Sequence, residues 1–562
     1  MSWKGIILAL FSLVSISEAR SQQYAYRVSF TDKNNTTYTL SNPIAYLSQR
    51  AIDRRISQGI AIDSTDLPVS DIYIQSVLTA SSGILHTESR WFNHIVILVS
   101  NQADITPVQA LPYVSSTTQV GNFAINLHNI LPENGQNDKF EEEALFPSFD
   151  ALAKSSGNPA YYGNTWDQTD MVNGDYLHDQ GYKGQGMLIA VLDDGFTTVP
   201  THPAFDSLNQ ENRILETHNF VRDTNYIYDI TSNHGGSVLS TMAGNVPGTF
   251  VGTAPYAEYA LYITENLTSE KPIEMEQVLA GAERADSIGA DIITISSGYN
   301  TFDPPYPDLT YGDLNGSTTI AAKAANMATK KGILFVATAG NEGTLAFPYI
   351  LTPGDADSAL TIGAVQTDGS AWSSSGHGPN SAGRVKPDVV TLGAPANVTS
   401  LSGYSTGSGT SYSTPQIAGW AACLWQASPN ATPHMLRAAI DSSAHVHTAP
   451  EIQRGFGIPN FQAAADILNI PFVMKDISGW VNVLPNPFGT YISLWTNLGV
   501  SDDVSYRVSD ISGRTLVSNT QRVDSGIRNT NIPMPENLPV GMYFMNVQSG
   551  GKEAVIKIVK GN

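Results

Sequence analysis

A parallel α/β sheet with helices on both faces, preceded by a small α+β domain and followed by a small β-sandwich, is the architecture this chain predicts. Three observations predict it. Between about 160 and 468, nearly continuous apolar runs alternate with helical patterns, as expected of a sheet buried on both sides. Before about 120, strand-like and helix-like patterns are mixed. After about 475, short alternating runs are punctuated by Gly, Pro, Asn and Ser, the pattern of a sandwich. At 562 residues the chain is too long for one hydrophobic core. The expected segments are 1–21, 22–120, 121–160, 161–470 and 475–562.

The first segment has the form of a signal peptide. Lys4 precedes a short apolar run from Gly5 to Ile16, and small residues follow, with cleavage expected after Ala19 or Ser21. No other stretch approaches the ~20 apolar residues of a membrane span. In the second segment, Tyr24–Phe30 and Ile95–Val99 read as strands. Pro43–Arg55 reads as a helix carrying Arg54 and Arg55. Asp66–Ser70 reads as a turn entering Asp71–Leu78. Residues 121–160 are polar, dotted with Pro and Gly, and include Glu141–Glu143. Such an exposed linker is where proteolytic cleavage is easiest.

In the third segment the expected strands are Met187–Leu192, Tyr259–Ile263, Asp291–Ser296, Ile333–Thr338 and Leu360–Val365. The expected helices are Gly235–Gly244, Ile273–Ile288, Ser317–Lys331, Ser411–Gln426 and Thr432–Ser442. Functional loops of such sheets lie at the carboxyl ends of the strands, and Asp193, Ser296 and Asn341 sit at or just past such ends. In the last segment, Tyr491–Trp495, Val504–Val508, Gly541–Val547 and Ala554–Val559 read as strands.

Composition narrows the function. Thirty Lys and Arg against 51 Asp and Glu give a net charge of −21. That opposes non-specific nucleic-acid binding, which needs a basic face. Cys423 is the only cysteine, so no intrachain disulfide forms, and its apolar surroundings read as a buried small residue.

Three segments carry the chemistry: Ile189–Gly195 with Asp193 and Asp194, Asn233–Val238 with His234, and Ser408–Pro415 with Ser411. An Asp closing a strand, a His opening a helix and a Ser after Gly-Thr supply the parts of a nucleophilic triad. In isolation Asp193 reads as a turn cap and His234 as a structural histidine. Gly409 permits close backbone approach, and Ser411 is expected to begin a helix with Pro415 in its first turn. A positive helix terminus would then face the hydroxyl.

In order and context these segments resemble the subtilisin-like serine peptidases (subtilases, peptidase family S8). The resemblance implies a subtilisin-like fold and a serine endopeptidase with Asp193, His234 and Ser411 as triad, working through an acyl-enzyme. It places an oxyanion-hole amide at Asn341, in Ala339–Gly343. It also implies that Ser296, Ser297 and Gly298 pair with extended substrate, and that Thr338, Ala339 and Gly340 wall the pocket for the residue before the scissile bond. Two departures stand out. Asp194 occupies a position usually Ser or Thr, which leaves two carboxylates near His234, with Asp193 favoured. Ser237 replaces a second, non-catalytic His. Sedolisins, which share the Gly-Thr-Ser segment, are disfavoured by His234 and Asn341. An α/β-hydrolase is disfavoured because position 413 is Ser where the nucleophile elbow needs Gly, and because the chain order differs.

Segments 22–120 and 475–562 resemble, respectively, a subtilase propeptide and the C-terminal sorting domains of type IX secretion. The latter rests on Val483–Phe488, Asp510–Arg514 and Leu538–Tyr543, in that order. The implied partners are protein or peptide substrates, the chain's own propeptide as folding aid and inhibitor, and the secretion machinery. The implied location is secreted or cell-surface, after export through periplasm and outer membrane. A retained accessory domain and a carbohydrate- or protein-binding β-module are the other readings of the two flanks. No cofactor is required for such catalysis and no catalytic metal is expected. His202 and His377 read as structural, and His445 and His447 lack a third ligand nearby. Structural Ca2+ stays open. The competing functions are a catalytically silent subtilase-fold binding protein and an adhesin led by the C-terminal sandwich.

Overall fold

The computed structural model describes residues 22–123, 158–229, 232–470, 480–484, 488, 491–535 and 537–560. The expected signal segment and most of the expected linker lie outside these residues. The chain divides into two units, Met1–Ile470 and Pro471–Asn562.

Seven parallel strands form the central sheet of the first unit. Their spatial order is Val389–Leu392, Leu360–Val365, Leu334–Thr338, Ile292–Ile295, Leu188–Asp193, Glu258–Ile263 and Ile214–Asn219. Side chains along a strand alternate between faces, and here they divide between two cores. Leu188, Ala190 and Leu192 pack with the Ile273–Ile288 and Ile320–Lys330 helices. Ile189 and Val191 pack with the His234–Ala243 and Thr410–Ala427 helices on the other face. Both faces are therefore covered, which is why the inner strands carry almost no polar residues.

The two strands absent from the sequence reading are the sheet's edges. Ile214–Asn219 has only two apolar residues and is largely half-exposed. Val389–Leu392 is four residues long, directly after Pro387 and Asp388. The first lacks the apolar content of a buried strand, and the second, though buried throughout, is short and directly follows a proline and an aspartate. The expected Pro43–Arg55 helix is also divided. A short turn at Pro43–Ala45 is followed by a helix at Gln49–Ser57, which starts where Ser48 Oγ accepts from the Ala51 N–H at 3.1 Å. A capping side chain outcompetes continuation of the helix through Tyr46 and Leu47.

The N-terminal part is an antiparallel sheet in the order Ile84–Ser89, His94–Val99, Gln23–Phe30 and Val114–Phe123, with helices at Gln49–Ser57 and Asp71–Ser81. It docks on the Ile273–Ile288 helix through buried charge. Asp286, fully buried, accepts from Arg54, from Arg55 at 2.8 Å and from Arg90 at 2.7 Å. Arg55 also reaches Asp66 at 2.9 Å, and Asp66 takes Lys331 at 2.9 Å. Glu276 pairs with Arg27 at 2.8 Å and with His94 Nε2 at 2.9 Å. Burial pushes the Asp286 carboxyl up, but Arg54, Arg90 and Arg55 together outweigh it and hold it down at about 2.

The second unit pairs a three-stranded sheet (Val481–Leu484, Tyr491–Leu498, Gly526–Pro533) with a four-stranded one (Thr515–Val523, Asp502–Asp510, Gly541–Ser549, Lys552–Lys560). Ile492, Leu494 and Ile532 from the first share one core with Val504, Val508, Met545 and Ile558 from the second. Among the described residues, no helix is long and apolar enough to cross a membrane.

Candidate active site

The strand Leu188–Asp193 comes first in the sheet's chain order yet lies inside it, between Ile292–Ile295 and Glu258–Ile263. Chain order reverses around it, which opens a crevice at the carboxyl ends of the strands. Asp193 closes this strand, wholly buried. Its Oδ1 lies 2.7 Å from His234 Nδ1, and the same Oδ1 accepts from the Asp194 N–H at 2.9 Å.

His234 begins its helix, followed by Gly235 and Gly236. A Cβ on Gly235 would stand 2.6 Å from the Gly195 carbonyl oxygen and 2.9 Å from Asp193 Cβ. Only glycine lets the helix come close enough for the Asp–His bond. Ser237, in place of a second His, donates to the Thr399 carbonyl at 2.7 Å, which ties the helix to the Ala396–Ser400 strand.

Ser411 lies in the first turn of the Thr410–Ala427 helix, whose N-cap is Gly409. The helix begins one residue before the expected start, so Pro415 falls in the second turn and not the first. Pro415 has no N–H to give the carbonyl four residues back, which is that of Ser411. Ser296 Oγ donates to that carbonyl at 3.0 Å, and Ser411 Oγ donates to the Ser296 carbonyl at 3.2 Å. The proline thus frees an acceptor that ties the serine to the end of a neighbouring strand.

Asn341 is held by Thr410. Its Oδ1 accepts from the Thr410 N–H at 3.0 Å and from the Thr410 hydroxyl at 2.7 Å. Thr338 donates to the same hydroxyl at 2.6 Å. With Oδ1 engaged, the Asn341 amide NH2 faces the other way. A Cβ built on Gly409 would lie 3.5 Å from Asn341 Nδ2 and 3.7 Å from the Ser411 N, so both donors border one space beside the serine. The Tyr412 and His234 rings are 5.9 Å apart between centroids, which brings the imidazole to the residue next to Ser411.

Comparison with known proteins agrees with this geometry. Residues 184–458 match the Subtilase family, 25–138 the Peptidase S8 propeptide domain of Bacteroidota, and 482–561 a secretion system C-terminal sorting domain. Subtilisin from Bacillus pumilus is 30% identical over 292 residues, 51% of this chain and 94% of that one. Subtilisin E from Bacillus subtilis is 30% identical over 292 residues, 51% of this chain and 68% of that one. The chain belongs to the subtilase family. The solved epidermin leader peptide processing serine protease from Staphylococcus aureus shares the fold of this subtilase, at a TM-score of 0.52, 15% identity, 80% of this chain and 99% of that one.

In this subtilase six of the sequence-predicted residues meet at one cavity, whose lining does not include Asp193, His234, Ser411 or Ala339. Ser296, Ser297, Gly298, Thr338, Gly340 and Asn341 line one cavity of about 310 Å3. Ala339 does not line it. Its N–H donates to Ile362 and its carbonyl accepts from Leu351, so it joins the wall to the next strand. Sequence reasoning missed Thr410, whose neighbour Ser411 drew attention but whose bond to Asn341 spans 69 residues. It also missed Glu265 and Glu270, which belong to no motif, and Glu342, which stands in the Ala339–Gly343 segment but was given no role there; all three line the same cavity. Cys423 is buried with Sγ toward the Thr253 carbonyl, and burial raises its pKa, so it is an inert thiol. His202 caps a turn by accepting from the Ala204 N–H at 3.1 Å. His445 Nδ1 accepts from the Ile458 N–H at 2.9 Å.

Asp193, Asp194 and His234 are the one described group whose ligand atoms cluster as a metal site would require. The Asp193–His234 bond accounts for that closeness without an ion. Asp194 is a separate matter. Buried beside Asp193, it accepts from Ser232 Oγ at 2.7 Å. Burial first, and then the charge of Asp193, push its carboxyl up to about 7. The folded pKa lies above the ordinary value of 3.8, so the folded state binds a proton that the unfolded state releases. Stability contributed by this group is therefore full below about pH 4, declines as pH rises toward 7, and is flat above. Asp194→Asn is expected to remove that decline, gaining on the order of a few kcal/mol over wild type at pH 8 relative to pH 4. Urea denaturation of the inactive Ser411→Ala chain at the two pH values measures it.

Proposed function

We propose that this subtilase is a secreted serine endopeptidase that cleaves peptide bonds through Asp193, His234 and Ser411. The observation that carries the reading is the 2.7 Å bond from Asp193 Oδ1 to His234 Nδ1, set at the mouth of the crevice that Ser411 enters at a helix N-terminus. Asp193 holds the imidazole with its proton on Nδ1, leaving Nε2 as base. The Ser411 hydroxyl leaves the Ser296 carbonyl and gives its proton to Nε2 as its oxygen bonds to the peptide carbonyl carbon. The new oxyanion is met by the Asn341 amide and the Ser411 N–H. His234 then passes the proton to the departing amine, the C–N bond breaks, and an acyl ester on Ser411 remains. Water, deprotonated by His234, attacks the ester, and the proton returns to Ser411 as the acid leaves.

The chemistry so assigned uses side chains and water alone, with no catalytic metal; any Ca2+ would be structural. The N-terminal domain, locked on Asp286, serves as inhibitor until cleaved, and the C-terminal domain directs type IX export to the exterior or cell surface.

A fluorophosphonate probe tests the reading directly. It is expected to label the wild-type chain and not Ser411→Ala, with the N-terminal region found cleaved away by mass spectrometry. A processed, folded chain that resists the probe would favour a silent binding protein. Asn341→Ala is expected to lower kcat by roughly 10²–10³, a magnitude measured for this donor in a subtilisin, with KM little changed; steady-state kinetics on one peptide decides it.

A further inference from the structure

The cavity beside Asn341 is acidic in a way that the proposed mechanism does not use. Ser296–Gly298, Thr338, Gly340 and Asn341 line it together with Glu265, Glu270 and Glu342, beside Asn300, Thr301 and Leu351; no Lys, Arg or His is among its lining residues. Ser296 is the residue whose carbonyl takes the Ser411 hydroxyl, so the cavity opens next to the nucleophile. Its volume of about 310 Å3 exceeds the roughly 210 Å3 that the seven side-chain heavy atoms of an arginine would fill at about 30 Å3 each, a water's share of liquid volume.

Two polar groups in it are built for a ligand. Glu342 Oε2 is buried and has no hydrogen-bond partner among the described residues. It lies over Gly340, where a Cβ would come within 2.5 Å of it; Gly340, at φ +92°, is therefore glycine for both space and backbone. Ser297 is 3% exposed, and its Oγ is likewise buried without a partner. Leaving such atoms unpaired is costly, and an entering cationic donor would satisfy both. Glu265 is held in place, its Oε1 accepting from the Thr264 hydroxyl at 3.2 Å and from the Tyr299 hydroxyl. Glu270 is half-buried, and its backbone bonds to Asp303 in both directions. This fixes the rim against the loop that follows Tyr299. A carboxylate on a rigid wall, with donors and acceptors preset, favours a charged partner over a neutral one of equal shape.

We propose that this cavity receives a lysine or arginine side chain and that the enzyme cleaves after basic residues, with Glu342 and Glu265 as the specificity-determining groups. The proposal rests on the peptidase reading above.

The test compares kcat/KM of the full-length chain, after its own processing, on fluorogenic peptides identical except before the scissile bond. Arginine, its neutral isostere citrulline, and leucine are the three probes, and fluorophosphonate labelling is run in parallel. Arginine is expected to be preferred over citrulline by about 10²-fold or more, because the neutral analogue brings no charge to the buried, unpaired Glu342 Oε2. Glu342→Gln is expected to cut that preference at least about tenfold, by lowering kcat/KM on the arginine peptide more than on the citrulline and leucine peptides. Glu265→Gln should act in the same direction. Equal cleavage of the arginine and citrulline peptides by an enzyme that labels normally would overturn the proposal and leave the peptidase reading standing. Absence of both labelling and cleavage would remove the two together.

Discussion

Ser411→Ala and His234→Ala are each expected to lower kcat by about 10⁶, and the double variant is expected to lose no more than either alone. The magnitude is one measured on a subtilisin; the non-additivity follows from the chemistry. The serine oxygen and the imidazole move one proton between them, so removing either removes the whole step. Asp193→Asn should cost less, about 10⁴, because the imidazole stays in place with the wrong tautomer. Steady-state kinetics on one peptide, with denaturation midpoints to show that each variant folds, checks all four. A double variant markedly worse than both singles would mean that the two residues act separately. A Ser411→Ala chain with substantial turnover would dispose of the triad.

The second large effect lies far from the crevice. Asp286→Ala is expected to destabilise the unprocessed chain by about 3–5 kcal/mol, the usual cost of removing one member of a buried ionic cluster. The loss strands Arg54, Arg55 and Arg90, which converge on that carboxylate from the N-terminal domain. Ser411→Ala, which blocks self-cleavage, is the background in which to measure it by urea denaturation. In the processed enzyme the same substitution should matter little, because the three arginines have left. Equal destabilisation of precursor and processed chain would show that Asp286 serves the catalytic domain itself. The cluster also sets an acid limit. The Asp286 pKa is lowered by its arginines to about 2 from 3.8. Its stabilisation is thus full above about pH 4 and is lost as pH falls toward 2. The precursor should loosen there, and Asp286→Asn should not show that step.

Much of this was legible along the chain. The inner strands show themselves because a strand buried on two faces is apolar almost throughout, as Ile189–Leu192 and, but for Thr294, Ile292–Ile295 are. Asp193, His234, Asn341 and Ser411 stand out because each interrupts such a pattern with a polar residue at a strand end or helix start, beside glycines. The edge strands Ile214–Asn219 and Val389–Leu392 were invisible because an edge can be short or half-polar. The pocket glutamates were invisible because neither the place of Glu342 beside Asn341 nor the sequence around Glu265 and Glu270 shows which cavity their carboxylates border.

Local signals, then, determined the order of the inner elements, since helix starts, strand periods and glycine turns are properties of neighbours in sequence, and the resemblance to subtilases picked out Asp193, His234, Asn341 and Ser411 among the polar residues. Tertiary structure alone decided which groups meet. It placed Asp193 on His234 across 41 residues. It paired Ser296 with the acceptor that Pro415 leaves on Ser411 across 115, and brought Arg55 to Asp286 across 231. It also gathered three glutamates from two loops around one cavity. The physical reason is that such contacts are fixed by how the faces of the sheet and its helices pack, and a carboxylate's partner depends on that packing and not on its neighbours along the chain.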